Sequence, residues 1–358
     1  MPFYEVVAYK RNQQSSSAPT FTELDRVMPH GGEASEGGGL SWSKELLSEG
    51  SITVATDPTK LESTIASYLR TPVANPLEFG LFRDGTLVQR GPLVAWQIEG
   101  KTLVLHIRGL LYYARYMVLT TDLKVTKDQA LIAKDLIDHH QAKSYGNFGL
   151  DTSGITSHGV SRSRDYKATE LINIIDEIRE LGESDNGFDI SCNPSTRVVT
   201  LHYPKKGTDK SATVAVDTRG ITDPRLALSI ASGQFGTAAF VSGVAGGQTS
   251  VTSESITTTE RSTFGLAYIT HTSVGVTNVS ELANIAIESR DIAKLPVFTP
   301  NKEFWSVTGA SVDDFDVGDT ITFEYDPGIG YMTYVGRVKN IYVSVQEGSQ
   351  EKLTLEFM

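Results

Sequence analysis

Seven histidines, one cysteine and a surplus of carboxylates are the groups in this 358-residue chain that could carry chemistry. His139-His140 stands at the end of a helical pattern. Adjacent residues on a helix point to different faces, so the pair cannot readily hold one metal ion. A helix C-terminus favours a positive imidazolium, which makes a surface or capping role the expectation. His106 and His202 fall in strand patterns and His158 in a Gly/Ser-rich loop. No HExxH motif occurs, and no His or carboxylate pair stands at ligand spacing. The single Cys192 excludes an intrachain disulfide and any multi-cysteine zinc site. It reads as a small buried hydrophobe in a Phe188 to Cys192 strand, not as a nucleophile.

Other constellations fail for stated reasons. The G-x-S-x-G elbow is absent, and Ser242 to Gly247 is a small-residue loop suited to close backbone approach. Asp313, Asp314, Asp316 and Asp319 cluster, but without the glycine and glutamate positions of a calcium EF-hand, so a solvated acidic turn is expected. Gly31 to Gly39 holds five glycines but lacks the Lys-Ser/Thr of a phosphate loop, which leaves an exposed flexible loop. Tyr112, Tyr113 and Tyr116 with Arg108 and Arg115 could stack nucleic-acid bases. Set directly behind a strand, they fit better as the plug of a barrel end or as an interface, where aromatic and arginine side chains are enriched. No catalytic, cofactor-binding or metal residue is therefore assigned, and the chain is not expected to catalyse a reaction.

A net charge of -11 opposes binding to phosphate backbones, although it suits a conduit past which DNA slides. No apolar run approaches the roughly 20 residues of a membrane span, so no membrane anchor is expected. The start Met1-Pro2-Phe3-Tyr4-Glu5 lacks the basic and apolar character of a secretory signal, so synthesis in a cytoplasm is expected.

The elements that must position these residues are mostly strands. Val317 to Tyr325 alternates apolar and polar side chains, as a strand with one buried face does, and breaks at Asp326-Pro327-Gly328. Tyr334 to Val345 and Lys352 to Phe357 repeat the pattern across a polar turn. Near the front, Leu77 to Arg83, Thr86 to Ile98 and Thr102 to Arg108 share this grammar, with turns at Asp84-Gly85 and Glu99-Gly100. Phe3 to Tyr9, Phe21 to Met28, Leu40 to Glu45 and Ser51 to Thr56 add strands. Asp57-Pro58 caps a helix over Lys60 to Leu69. Apolar spacing predicts helices within Asp122 to Ala142, over Lys167 to Leu181 and over Glu281 to Arg290. Phe188 to Cys192, Arg197 to Tyr203 and Ala212 to Val216 form a small meander, and Ala238 to Tyr268 is polar strand or extended loop.

The stretch Leu81-Phe82-Arg83-Asp84-Gly85-Thr86-Leu87-Val88-Gln89-Arg90-Gly91-Pro92-Leu93, followed by Leu103 to Leu111, resembles the minor tail proteins of siphophages infecting actinobacteria. In that family a strand ending in Arg-Asp-Gly turns into one ending in Gly-Pro, and a Gly-Leu-aromatic segment closes the unit. Phe315 to Phe323, carrying Gly318-Asp319, and Gly336-Arg337-Val338 through Glu356 look like the family's later strands. The resemblance spans nearly the whole chain in order, through short turn-like motifs. It departs at the glycine-rich Gly31 to Gly39 segment and the polar Ala238 to Thr263 region.

The resemblance implies a tail-tip or baseplate hub: two β-barrel domains per subunit, trimerised into a ring of six pseudo-equivalent barrels. The ring joins a sixfold tail to a threefold tip around a central channel. Implied neighbours are a distal tail ring protein, a tape measure protein, and tip or receptor-binding proteins, with DNA only passing through. The expected fold is α+β, with two β-barrel-like domains flanking α/β insertions. The expected units are 1–120 (N-terminal barrel), 121–225 (α/β), 226–293 (α+β linker) and 294–358 (C-terminal barrel). The expected place is the virion tail tip. A carbohydrate-binding or envelope-adhesion module, with or without glycan hydrolysis, is the alternative. It would need an exposed aromatic row, and Trp42, Trp96 and Trp305 all fall in or beside strand patterns, where core packing is expected. An enzyme with an unrecognised site would need a deep pocket of convergent titratable groups.

Overall fold

A computed structural model of the chain describes residues 2–27, 29, 39–46, 49–71, 76–184, 186–216, 225–229, 236–244, 251–256, 261–262, 265–274, 276, 278–293, 297–305, 311–325, 332–345 and 351–357. The Gly31–Gly38 part of the glycine-rich loop and the Asp326-Pro327-Gly328 turn lie outside them.

The first unit contains β1 (Tyr4–Asn12), β2 (Thr20–Val27), β3 (Leu40–Glu45), β4 (Ser51–Thr56), α1 (Ser63–Arg70), β5 (Leu77–Arg83), β6 (Thr86–Glu99) and β7 (Thr102–Arg108). The β5–β6 hairpin turns at Asp84 and Gly85, both with positive φ (50° and 76°), the geometry that matches strand twist in a two-residue turn. The first helix starts later than the sequence suggests. Asp57 caps only a single 3-10 turn, Pro58–Lys60, and Glu62 caps α1 itself through the amides of Thr64 and Ile65.

The middle of the chain forms β8 (Leu123–Asp128), α2 (Gln129–Gln141), β9 (Ser161–Tyr166), α3 (Ile174–Glu183), β10 (Asp189–Cys192) and β11 (Val199–His202). Ile132, Ala133, Leu136 and Ile137 of α2 share a second core with Ile174, Ile175, Ile178 and Leu181 of α3. Residues 123–128, inside the segment expected to contain a helix, are strand β8 paired with β9, and Asp128 then caps α2. The Gly/Ser-rich segment read as a loop ends in β9, and α3 begins at 174 because Asn173 caps it.

Then follow β12 (Ala215–Val216), β13 (Arg225–Ser229), β14 (Ala238–Val244), β15 (Val251–Ile256), β16 (Tyr268–Val274) and α4 (Val279–Ala293). Strands β15, β14 and β16 make a separate sheet, and Leu282, Ile285 and Ala286 of α4 cluster with Val241 of β14. The chain closes with β17 (Val297–Trp305), β18 (Thr320–Tyr325), β19 (Met332–Val345) and β20 (Glu351–Phe357).

One strand path joins both ends of the chain: β13-β17-β20-β19-β3-β4-β7-β6-β5-β1-β2, with β18 branching from β19 and carrying β12. A single apolar core runs through it, from Tyr4 to Phe357. Among the described residues this path is open, so neither end closes into a barrel by recorded pairing alone. The architecture is mixed α+β and dominated by sheet.

Two five-strand runs correspond: β3-β4-β7-β6-β5 on this path, and β13-β17-β20-β19 continued by the branching β18. Each contains a 14-residue strand that changes partner midway. Strand β6 pairs with β5 up to Pro92 and with β7 from Leu93. Strand β19 pairs with β18 up to Arg337 and with β20 from Val338. One residue further on, a bulge skips Val94 in one and Lys339 in the other, which bends the strand between sheets. Gly91 and Gly336 hold matching places two residues before each switch. A Cβ on Gly91 would lie 1.9 Å from the Arg108 carbonyl oxygen, and one on Gly336 would lie 2.3 Å from the Tyr334 ring and 2.9 Å from Phe357. The β6 bend therefore needs a residue without a side chain at 91, whereas a side chain at 336 would displace two aromatic rings.

Candidate assembly surface and the charged junctions behind it

The chemistry-bearing residues are dispersed. His139 meets the Thr120 hydroxyl at 3.4 Å, and His140 stacks on Phe148. Burial, then the nearby Lys143 ammonium, holds both imidazoles below their usual range, which opposes the preference of a helix end for the cationic form. His158 packs against Phe188 and Tyr203, and His202 meets the Ser191 hydroxyl at 2.7 Å. Cys192 borders a cleft of about 440 Å³, together with Lys44, Glu49, Gln89 and Lys206. Burial pushes its thiol up to about 12, so the thiolate needed for nucleophilic attack is scarce at neutral pH. Among the described residues, no group of three or more His, Cys, Asp or Glu side chains could hold a metal ion. Among them too, no helix is long and apolar enough to cross a membrane.

The aromatic set divides. Tyr113 is buried, stacks on Phe148 at 5.0 Å and donates its hydroxyl to Glu78 Oε1 at 2.6 Å. Burial, then the Glu78 carboxylate, raises this phenol well above its ordinary value, so it stays a donor. Arg115 donates to Glu49 at 2.7 Å, while Tyr116 faces outward. Tyr113 and Arg115 thus take part in a joint between the first β unit and the α/β unit, while Tyr116 and Arg108 lie exposed.

Charged groups tie the units together at several such joints. Glu78, on β5, is fully buried and accepts from Arg90 Nε at 3.0 Å and Arg197 Nη1 at 3.0 Å. Arg197 lies between β10 and β11 and also donates to the carbonyls of Phe148 and Gly149, at 2.8 and 2.9 Å. Glu49 joins Arg115 to Arg179 of α3 at 2.7 and 2.9 Å. Arg83, at the end of β5, bridges to Glu351 of β20 at 2.6 Å and to Asp313 at 2.7 Å, and Tyr4 donates to the same Glu351. Arg337 of β19 donates to Asp189 of β10. Arg164 of β9 donates to Glu281 of α4, with Glu177 and Glu180 of α3 close enough to feel its charge.

The acidic cluster expected as a solvated turn divides: Asp313 and Asp314 lie exposed in a turn, whereas Asp316 and Asp319 belong to these joints. Asp316 receives Lys44 at 3.1 Å and Lys206 at 2.9 Å, and the buried Asp319 receives Lys210 at 2.9 Å. Burial alone would raise the Asp316 carboxyl, but the two ammonium groups outweigh it and hold it below the usual range. Spacing along the chain could not reveal this, because the partners in these three pairs lie 109 to 272 residues apart in sequence.

The outer surface carries one feature that core-like patterning concealed. Beyond its bulge, Ala95–Glu99 of β6 pairs only with β7, and its other edge has no recorded strand partner among the described residues. Trp96 is 43% and Ile98 59% exposed, whereas Trp42 is buried as expected. A cleft of about 360 Å³ between the end of α1 and Leu93–Trp96 opens beside this edge. An unpaired edge with apolar side chains is a template for strand addition.

No protein-family model matches the chain, and no curated protein does. Solved structures do match in fold. A prophage tail protein, gp18, from Listeria monocytogenes EGD-e aligns with TM-score 0.57 at 10% identity, covering 98% of this chain and 94% of that one. The 43 kDa tail protein of prophage MuSo2 from Shewanella oneidensis aligns with TM-score 0.58 at 11% identity, over 99% and 98% of the two chains. A tail protein from Neisseria meningitidis MC58 aligns with TM-score 0.54 at 12% identity, over 99% and 96%. Along nearly its whole length, the chain is therefore similar in fold to prophage tail proteins.

Proposed function

We propose that the chain is a structural, non-enzymatic component of a phage-type tail, acting as a trimeric hub at the tail tip. The carrying observation is the correspondence of β3-β4-β7-β6-β5 with β13-β17-β20-β19-β18. Two matched β lobes per chain allow three chains to present six similar lobes, which is what a threefold collar needs to meet a sixfold tube. The lobes come from 1–120 and 294–358, the second drawing β12 and β13 from the intervening 121–225 and 226–293 stretches, which otherwise form the insertions. In this reading the lobes complete barrel-like walls in the assembled ring. A closed trimer uses heterologous contacts, one face of each subunit against a different face of the next. The likeness to prophage tail proteins supports this reading, as do the dispersed titratable groups. The acidic balance suits a channel wall that DNA and a tape measure protein pass without sticking. A distal tail ring protein above and tip or receptor-binding proteins below are the neighbours it implies.

Light scattering on the purified chain, with imaging of the particles, tests this. The expected mass is three times that of the chain, with threefold symmetry and a central opening. A monomer both in solution and in purified tails overturns the proposal.

A further inference from the structure

The correspondence between the two lobes leaves one edge covered and its counterpart bare. In the C-terminal lobe, Asn340–Val345 of β19 is flanked by β20 on one side and β3 on the other. The residues matching Asn340, Ile341, Tyr342, Val343 and Ser344 in the first lobe are Ala95, Trp96, Gln97, Ile98 and Glu99. They share the same pairing partners, since Trp96 faces Leu105 and Ile98 faces Leu103 in β7 as Ile341 faces Leu355 and Val343 faces Leu353 in β20. Ile341 and Val343 are 0% and 1% exposed in the apolar core, and β3 covers their strand edge, with Trp42 opposite Val343. Trp96 and Ile98 have no such cover.

The strand that matches β3 in the second lobe is β13. Each is the outermost of its run: β3 pairs with β4 as β13 pairs with β17, and β17 lies on β20 as β4 lies on β7. Carrying the registers across places Arg225 at the position of Ser41, Leu226 at Trp42, Ala227 at Ser43, Leu228 at Lys44 and Ser229 at Glu45. β3 spends its outer edge on β19 within the chain, whereas the outer edge of β13 has no recorded partner among the described residues.

We infer that β13 of one copy pairs antiparallel with the β6 edge, Ala95–Glu99, of the next copy, repeating between chains the β3·β19 contact made within one. This rests on the ring reading above and names the contact that would close it. The register follows from the β3·β19 pairs. It sets Arg225 opposite Glu99, Leu226 opposite Ile98, Ala227 opposite Gln97, Leu228 opposite Trp96 and Ser229 opposite Ala95. This register sets a cationic residue opposite an anionic one, and two leucine positions opposite the exposed Trp96 and Ile98. Directly opposed residues on one face are the unit of sheet stabilisation, and each matched pair adds to it. Neither segment contains proline, so both can exchange a full ladder of backbone hydrogen bonds. In the free subunit Glu99 accepts from Gln97 Nε2 at 2.6 Å, a bond that the pairing exchanges for Arg225.

The test uses the full chain with Cys192→Ser, into which Gln97→Cys and Ala227→Cys are introduced together. Opposed residues in an antiparallel ladder have Cα atoms about 4.5–5.5 Å apart, inside the range a disulfide bridges. Oxidation should convert the chain to a covalent trimer. The offset pair Gln97→Cys with Arg225→Cys, a diagonal at about 7–8 Å, should give little. Glu99→Arg should lower the trimer fraction, and adding Arg225→Glu should restore it. A trimer by light scattering that links no better through 97/227 than through 97/225 overturns the strand pairing and leaves the ring standing. A monomer whose cysteines all stay free in solution and in tails overturns both.

Discussion

Replacing Glu78 tests whether the charged joints hold the units together. Its carboxylate is fully buried and takes two guanidinium groups and the Tyr113 hydroxyl. Neither arginine can easily swing to water. Arg90 lies 4.2 Å from the Tyr9 ring centroid and 4.6 Å from that of Phe21. Arg197 sits 4.5 Å from Phe21 and donates to two backbone carbonyls as well. Glu78→Ala thus strands buried positive charge, and removing one partner of a buried ion pair costs about 3–5 kcal/mol. Glu78→Gln keeps the shape and an acceptor for Tyr113 but loses the charge. It should cost less, on the order of 1.5–3 kcal/mol, the worth of a charge-assisted hydrogen bond. Urea unfolding followed by tryptophan fluorescence would read both. Amide exchange at Asp151 and Val199, whose backbone groups bond beside the Arg197 turn, would show whether the α/β unit loosens first. A Glu78→Ala chain within about 1 kcal/mol of the parent, below the cost of one unsatisfied buried charge, refutes the reasoning.

Two further outcomes follow from local geometry and charge. Gly91→Ala should prevent the β6 bend, because its Cβ would overlap the Arg108 carbonyl, and the purified yield of folded protein should collapse. Gly85→Val meets nothing within 4 Å and should cost only its left-handed φ, about 1–2 kcal/mol; equal damage from both changes would refute the contrast. Burial raises Glu177 to about 8 and Glu180 to about 7 from an ordinary 4.5. Between those values the folded chain keeps protons that the unfolded chain loses, so stability should fall as pH rises from 5 to 8 and level off above. Glu177→Gln should flatten that slope; an unchanged pH profile of the melting temperature would remove these carboxyls from the account.

Much of the strand inventory was legible because alternation with period two is a local signal. Leu40–Glu45, Ser51–Thr56, Leu77–Arg83 and Thr102–Arg108 lie where the pattern puts them. The Asp84-Gly85 turn did too, since its backbone demands residues tolerant of positive φ. Strands β8 and β9 were hidden, because β8 runs directly into α2 and β9 is polar until Tyr166. The polar residues 238–268 include β14 and β15, whose Gly, Ser and Thr content leaves no clean apolar alternation to mark a strand.

Sequence alone determined the local grammar: two similar β runs at opposite ends, helices between them, and no spacing that makes a reactive site. Only the tertiary structure decided that these runs share one path and one core, because β3 reaches β19 across some 300 residues of chain. It alone decided the roles of the charged and aromatic residues. Asp316 and Trp96 carry the same local signal as a solvated acid and a core tryptophan. Which one is clamped and which one is bare depends on which partners folding brings beside them, and alternation along a strand records a face but not the neighbour that covers its edge.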